Sequence, residues 1–276
     1  MSAKSLPTIV RTVELFRERE SGICHSIRVP FGELVGYTNK APYKDEAPNE
    51  DNLAVFEVDQ ENCLLVVADG VGGSPAGAAA SQLVIDKLAT YLADPPLPVA
   101  IPALVITALE DAHEEIRARG SGSASTVALA HVGMDMFRPA HAGDSVVMAC
   151  GQRGKLKFET IAHSPVGYAL ESGILSEDEA FTHEDRHVVS NIVGGQDIHI
   201  TLGGSVNLSK WDTLLLATDG VTDNLRQSEI IDTIRRGPLL KCGETLAQMV
   251  VDRMETNTGG KPDDVTFILF RRTRQK

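Results

Sequence analysis

The stretch LAVFEVDQENCLLVVADGVGGSPAGAAASQLVIDKLATYLA, residues 53–93, decides the architecture. Two apolar runs, LAVFEV (53–58) and CLLVVA (63–68), flank the polar turn DQEN, so they read as a pair of strands. The second run ends on Asp69-Gly70 and a cluster of breakers, Val71-Gly72-Gly73-Ser74-Pro75. AGAAASQLVIDKLATYLA then has the composition and apolar spacing of a helix, and PPLP (95–98) stops it.

A second helix fits about Ile101 to Arg119, completing a strand–strand–helix–helix block. From Ala124 the pattern turns to β, in the short runs STVALAHV, MFRPAHAG, SVVMAC and LKFETIAH. A polar stretch of helical composition, about Ser176 to Glu184, interrupts them. Strands are expected again at HVVSNIV, DIHITL and DTLLLA, helices at about 226–236 and 243–256, and a last strand at VTFILFRR. Strands in hairpin-like blocks with helices in pairs predict an α+β protein: two antiparallel sheets face to face, helix pairs outside. No stretch separates two domains, so residues 1–276 are expected to form one. Lys40 to Glu50, with Pro42 and Pro48, reads as a loop rather than a linker.

The chain carries 26 Lys and Arg against 38 Asp and Glu, a formal net charge of -12. That excludes a non-specific nucleic-acid binder, which needs a basic surface, but suits a protein that gathers cations. The cysteines, Cys24, Cys63, Cys150 and Cys242, form no CxxC pair. Cys63 and Cys150 sit in apolar runs and read as buried thiols; a reducing cytoplasm fits best. The N-terminal residues have no apolar stretch long enough for a signal peptide or a membrane span.

The acids fall at strand ends. LLVVADG closes on Asp69-Gly70, LLLATDG on Asp219-Gly220, and PAHAGDS puts Asp144 in a turn between β runs. Asp263 and Asp264 precede the final strand; Glu50 and Asp51 precede the first of the paired strands. Each alone is ordinary turn chemistry. Brought to one edge, these carboxylates would repel by several kcal/mol unless protons or cations relieved them, roughly what Coulomb's law gives at short range near a protein surface. Hard, oxygen-rich clusters suit magnesium, manganese or calcium. A glycine after the aspartate lets the backbone approach closely.

The series NED, VADGVGG, STV, GDS, ATDGVTD and PDDVTF, in this order from about Gly36 to Phe270, resembles the PPM family, the type 2C metal-dependent protein phosphatases. AHSPVGYALESGILSEDEAFTHEDRH followed by NIVG is similar to the flap segment of bacterial members. The resemblance implies an αββα sandwich and hydrolysis of phosphoserine and phosphothreonine on proteins by a water bridging two Mn²⁺ or Mg²⁺ ions. It implies that Asp69 bridges both ions, that the Gly70 carbonyl binds one, and that Asp219 and Asp263 complete the other's shell. Glu50 and Asp51 would act beside the metals. Asp144, with Asp219 and Asp223, would hold a possible third ion. Asp51, Asp69 and Asp219 are thus the expected catalytic set. The implied partner is a phosphorylated target of a serine/threonine kinase, with no nucleic acid and no membrane. No sensor or kinase module is apparent in the chain.

Two departures stand out. Where many members place a phosphate-gripping arginine, this chain has Glu46; Lys44 is the expected substitute and Lys40 the next cation, although lysine lacks the planar fork of arginine. This motivates an alternative, a catalytically weak module that binds phosphorylated partners. Val71 stands where some members, mainly eukaryotic ones, carry a histidine; valine there resembles the bacterial branch. A third reading, a zinc protease, comes from His183-Glu184-Asp185-Arg186-His187, an HExxH match. It requires a helix there, whereas the residues that follow have β character. His141 and His163 read as satisfied interior or turn histidines, and Trp211 as a residue packed at a sheet end.

Overall fold

The computed structural model describes residues 12–15, 22–42, 47–72, 76–93, 100–256 and 260–272. In chain order the strands and helices of the first half are β1 (Thr12–Leu15), β2 (His25–Val29), β3 (Gly32–Asn39), β4 (Asp51–Glu57), β5 (Cys63–Val71), α1 (Ala76–Ala93) and α2 (Ile101–Arg119). Then come β6 (Ala124–Ser125), β7 (Val127–Val132), β8 (Met136–Ala142), β9 (Val146–Cys150), β10 (Leu156–Glu159), α3 (Pro165–Glu171) and α4 (Glu177–Phe181). The rest comprises β11 (Thr201–Leu202), β12 (Val206–Asn207), β13 (Thr213–Ala217), α5 (Asp219–Thr222), α6 (Gln227–Ile234), α7 (Leu239–Glu255) and β14 (Val265–Arg272).

The strands form two antiparallel sheets. One runs β1-β4-β5-β7-β8-β11, with β12 also on β8 and β6 on β5; the other runs β10-β9-β13-β14-β3-β2. The period of two along β5 shows why they stack. Leu64, Val66 and Ala68 face α1 and α2, packing with Val84, Leu88 and Leu109. Cys63, Leu65 and Val67 face the other way, into a core shared with Leu214, Leu216, Ile268 and Phe270 of the second sheet. That sheet's outer face, Leu215, Phe267 and Leu269 included, is covered by Ile230, Leu246 and Val250 of α6 and α7. Each of the Val, Leu, Ile and Phe side chains among them contributes about 1.5–3 kcal/mol by leaving water. The layers are therefore helices, sheet, sheet, helices, as the sequence predicts.

Several expectations need correction. HVVSNIV is not a strand: only Val193 makes an isolated bridge, to Ser125. Its polar groups go elsewhere, since Ser190 N and Oγ donate to His163 O and Asn191 bonds both the N–H and the C=O of His199. DIHITL contributes only Thr201–Leu202. Strands β2 and β3 lie where the sequence reading placed none, and α3 and α5 are helices it passed over. Trp211 is 54% exposed rather than packed, with the Lys210 ammonium 4.5 Å from its ring centroid. Cys63 and Cys150 are buried free thiols, as expected. Among the described residues no helix is long and apolar enough to cross a membrane.

Candidate metal centre

Antiparallel order brings the starts of β4 and β14 and the ends of β5 and β13 to one edge of the sandwich. Asp51 opens β4 directly opposite Asp69 near the end of β5. Both continue the alternation that faces the second sheet, through Leu53 and Val55 on β4 and Leu65 and Val67 on β5. From that second sheet Thr218, one residue past β13, donates its hydroxyl to Asp51 Oδ2 at 2.8 Å. Asp219 opens α5, and Asp223 closes it with its N–H on Asp219 O at 2.7 Å. Asp144 lies in the turn between β8 and β9, beside Ser145, whose hydroxyl is 2.6 Å from Thr126 Oγ1.

Burial, and then the charges of Asp219, Asp51, Asp144 and Asp263, push the Asp69 carboxyl well above the usual range. Burial, then Asp144 and Asp263, does the same to Asp219, with Lys261 opposing. Asp51 is raised to about 7 by burial and by Asp264, against the Thr218 hydrogen bond. Asp144 is raised to about 6 by burial and by Asp223, with Lys261 opposing. Asp144 Oδ1 is buried and accepts no hydrogen bond. Such a cluster stores electrostatic repulsion that protons or cations relieve.

One cation is already present. Lys261 Nζ lies 3.1 Å from Asp219 Oδ2, 2.9 Å from Asp223 Oδ2 and 3.0 Å from Asp263 Oδ2. Burial would lower its pKa, but Asp219, Asp223 and Asp263 outweigh that and raise it. Among the described residues, no three His, Cys, Asp or Glu side chains form a group that could hold a metal ion.

The glycines explain how closely the backbone runs. A Cβ on Gly70 would collide with the Gly77 carbonyl at the start of α1, and one on Gly220 with the Asp264 carbonyl. Gly70 N donates to Glu50 O at 3.1 Å, and Ser81 Oγ of α1 donates to the same oxygen at 2.5 Å. The two neighbouring acids before β14 divide their work. Asp264 takes the N–H of Ala41 on Oδ1 and of Glu50 on Oδ2, each at 2.7 Å, so it holds the backbone at Ala41 and at Glu50 together. Asp263 takes Lys261 and the N–H of Asp264. Lys44 and Glu46 lie outside the described residues; Lys40 directly follows β3. Val71, the last residue of β5, is 37% exposed.

A cleft of about 440 Å³ runs from Asp144, Asp219 and Asp223 to the α3–α4 segment and α6, walled by Val166, Phe181 and Arg226. The Arg186 and Arg226 guanidiniums lie 5.8 and 4.8 Å from the centroid of the Phe181 ring, and Arg226 pairs with Asp178. His183 to His187 is a turn region after α4, not a helix, so its histidines are not presented as zinc ligands. His163 is neutral and engaged: burial lowers it to about 4, its Nδ1 takes the Gly143 N–H at 3.2 Å, and Nε2 meets Thr201 Oγ1 at 3.0 Å. His141 Nε2 likewise meets Ile161 O at 2.9 Å.

Sequence reasoning brings out the strand-end acids but passes over Thr218, Ser81, Gly77, Asn224 and Lys261. Only Lys261 carried a visible signal, a cation two residues before an acidic pair.

The sequence profile of the family protein phosphatase 2C matches residues 40–252. The chain belongs to that family. Membership makes it an enzyme, a metal-dependent protein phosphatase of the bacterial PPM type. The protein phosphatase PhpP of Streptococcus pneumoniae is 29% identical over 230 residues, spanning 80% of this chain and 90% of PhpP. The crystal structure of the serine/threonine phosphatase Stp1 from Staphylococcus aureus superposes with a TM-score of 0.75 at 25% identity, covering 93% of this chain and 99% of Stp1. The catalytic domain of the serine/threonine protein phosphatase PstP, solved in complex with 2 manganese ions, shares the PPM fold with a TM-score of 0.69 at 22% identity, covering 88% of this chain and 99% of that one.

Proposed function

We propose that this chain, acting as one catalytic domain, hydrolyses phosphoserine and phosphothreonine on target proteins with a water held between two divalent cations, manganese or magnesium. The observation that carries this reading is the meeting of Asp51, Asp69, Asp144, Asp219 and Asp263 at one edge, with Asp51 opposite Asp69 and their charges mutually unfavourable. The chemistry of these donors suits hard divalent ions. The set is all oxygen, and it contains a buried carboxylate oxygen on Asp144 with no hydrogen-bond partner.

Asp69, the Gly70 carbonyl, Asp219 and Asp263 would hold the two ions, with Glu50 and Asp51 beside them; Asp144, Asp219 and Asp223 would line the place of a third. Two such ions supply an acidified water as nucleophile and offset charge on the phosphoryl oxygens. The chain's own residues then have distinct tasks. Thr218 aims the Asp51 carboxylate by its hydrogen bond, and Asp264 fixes the backbone of Glu50. The cleft leading from Asp144 and Asp219 is the natural path for the peptide on either side of the phosphoresidue. Lys44 is the cation expected to meet the phosphate. No covalent enzyme intermediate is required, and the buried thiols Cys63 and Cys150 are out of reach as nucleophiles.

Phosphate release from phosphothreonine and phosphotyrosine peptides, with manganese and with a chelator, tests the reading. Turnover of phosphothreonine that needs manganese supports it. Equal turnover in chelator, or tight phosphopeptide binding with no turnover under any divalent ion, defeats it; the latter outcome favours a binding module.

A further inference from the structure

Lys261 is held as few lysines are. Its backbone N–H donates to Asn224 Oδ1 at 2.8 Å, and its carbonyl accepts from Asn224 Nδ2 at 2.9 Å. The same Nδ2 also donates to the Gly220 carbonyl at 2.9 Å, and Asn224 is fully buried. One amide therefore clamps the Lys261 backbone to the turn that carries Asp219. On the other side, a Cβ on Gly260 would collide with the Arg253 carbonyl, so the chain runs tight against the end of α7. Pro262 follows directly and limits the backbone further. From this fixed base the side chain, 30% exposed, reaches Asp219, Asp223 and Asp263 together. An ordinary surface lysine gives up its rotamer freedom for one weak pair; this one is anchored first and then meets three carboxylates.

The geometry points to Lys261 as a built-in cation that takes the seat between Asp219 and Asp223, so that the chain binds one divalent ion fewer than its carboxylates could hold. This rests on the metal-dependent reading given above. The atoms allow the ammonium and the ions to coexist. Lys261 meets one oxygen, Oδ2, on each of Asp219, Asp223 and Asp263, and among the described residues it forms no ion pair with Asp69 or with Asp144, whose Oδ1 is unpartnered. A tethered charge of +1 offsets carboxylate repulsion without a ligand from solution, and it cannot be washed out by a chelator. The consequence is a site filled by two ions at most, with the third place occupied by the protein itself.

Calorimetric titration of manganese into the metal-free full chain, compared with Lys261→Met, tests this. Methionine keeps the length and removes the charge. The expected result is one more manganese bound per chain in Lys261→Met than in the wild type, and a larger manganese-induced rise in melting temperature. Lys241→Met, at an exposed lysine of α7, should keep the wild-type count. Equal counts in the wild type and Lys261→Met would overturn the inference. Should Lys261→Met fail to fold, crystals of the wild type grown with manganese decide alone. Nζ beside Asp223 with no anomalous peak between Asp219 and Asp223 supports the inference; a manganese peak there, with Lys261 swung away, overturns it. Manganese-dependent turnover with equal counts defeats only the role of Lys261. A wild-type chain that binds no manganese defeats the metal-dependent reading as well.

Discussion

Asp51 and Asp69 are direct partners across the β4–β5 ladder, two carboxylates on neighbouring strands facing the same interior. Opposed like charges cost stability in a sheet, so the pair is a poor choice for folding and a good one for gathering cations. Thr218 supports it from the other sheet. Thr218→Val should therefore weaken manganese affinity by about 10–100-fold, the usual effect of losing a group that orients a ligand. Stability of the metal-free chain should fall by only about 1 kcal/mol for the lost hydrogen bond. Titration calorimetry and chemical denaturation measure the two separately.

The raised carboxyls fix the sign of the pH dependence. Asp51 at about 7 and Asp144 at about 6 lie above the ordinary aspartate value, and burial with the neighbouring carboxylates raises Asp69 and Asp219 well above it too. A folded state that binds more protons than the unfolded one loses stability as pH rises through the folded pKa. In the presence of a chelator, the melting temperature should fall as pH rises from about 4, near the ordinary aspartate pKa, through 6 and 7. Manganese should restore more stability at pH 8 than at pH 5, because at pH 5 protons already occupy the cluster. A chelated protein that grows more stable over the same interval would contradict the repulsion argument.

Adjacent acids should separate in their effects. Asp264 accepts the backbone N–H groups of Ala41 and Glu50, whereas Asp263 meets Lys261 and its neighbour's N–H. Asp264→Ala should cost about 3 kcal/mol, since hydrogen bonds to a charged group are the stronger ones. Asp263→Ala should leave the fold nearly as stable and reduce manganese binding. The reverse ranking by denaturation would mean that the two roles are exchanged.

Gly220→Ala tests the close approach behind Asp219. The new methyl would meet the Asp264 carbonyl, a backbone atom that cannot rotate away. Destabilisation of about 1–3 kcal/mol is expected from the forced shift, together with lost activity, because the shift moves Asp219 itself. A neutral outcome in both assays would show that the turn has slack.

The αββα layering was legible because apolar alternation in LAVFEV, CLLVVA and DTLLLA is strong and breakers bound each run. The strand-end acids were legible for the same reason, since an aspartate closing an apolar run stands out. HVVSNIV misled because apolar composition does not supply a strand partner; Ser190 and Asn191 satisfied their neighbourhood through side chains and His163 instead. Thr218 and Asn224 were invisible because their importance lies in contacts across 167 and 37 residues, which no local pattern records. Lys261 reads as a solvated lysine until the fold surrounds it with carboxylates.

The most direct test of the central claim compares wild type with Asp69→Asn in manganese-dependent phosphate release from a phosphothreonine peptide, with bound manganese counted in the same samples. Asparagine keeps the shape and removes the charge that draws the ions. The account predicts that Asp69→Asn stays folded, loses manganese and loses turnover together. Full turnover in Asp69→Asn, or turnover in the wild type that persists when every manganese ion has been removed, would contradict it.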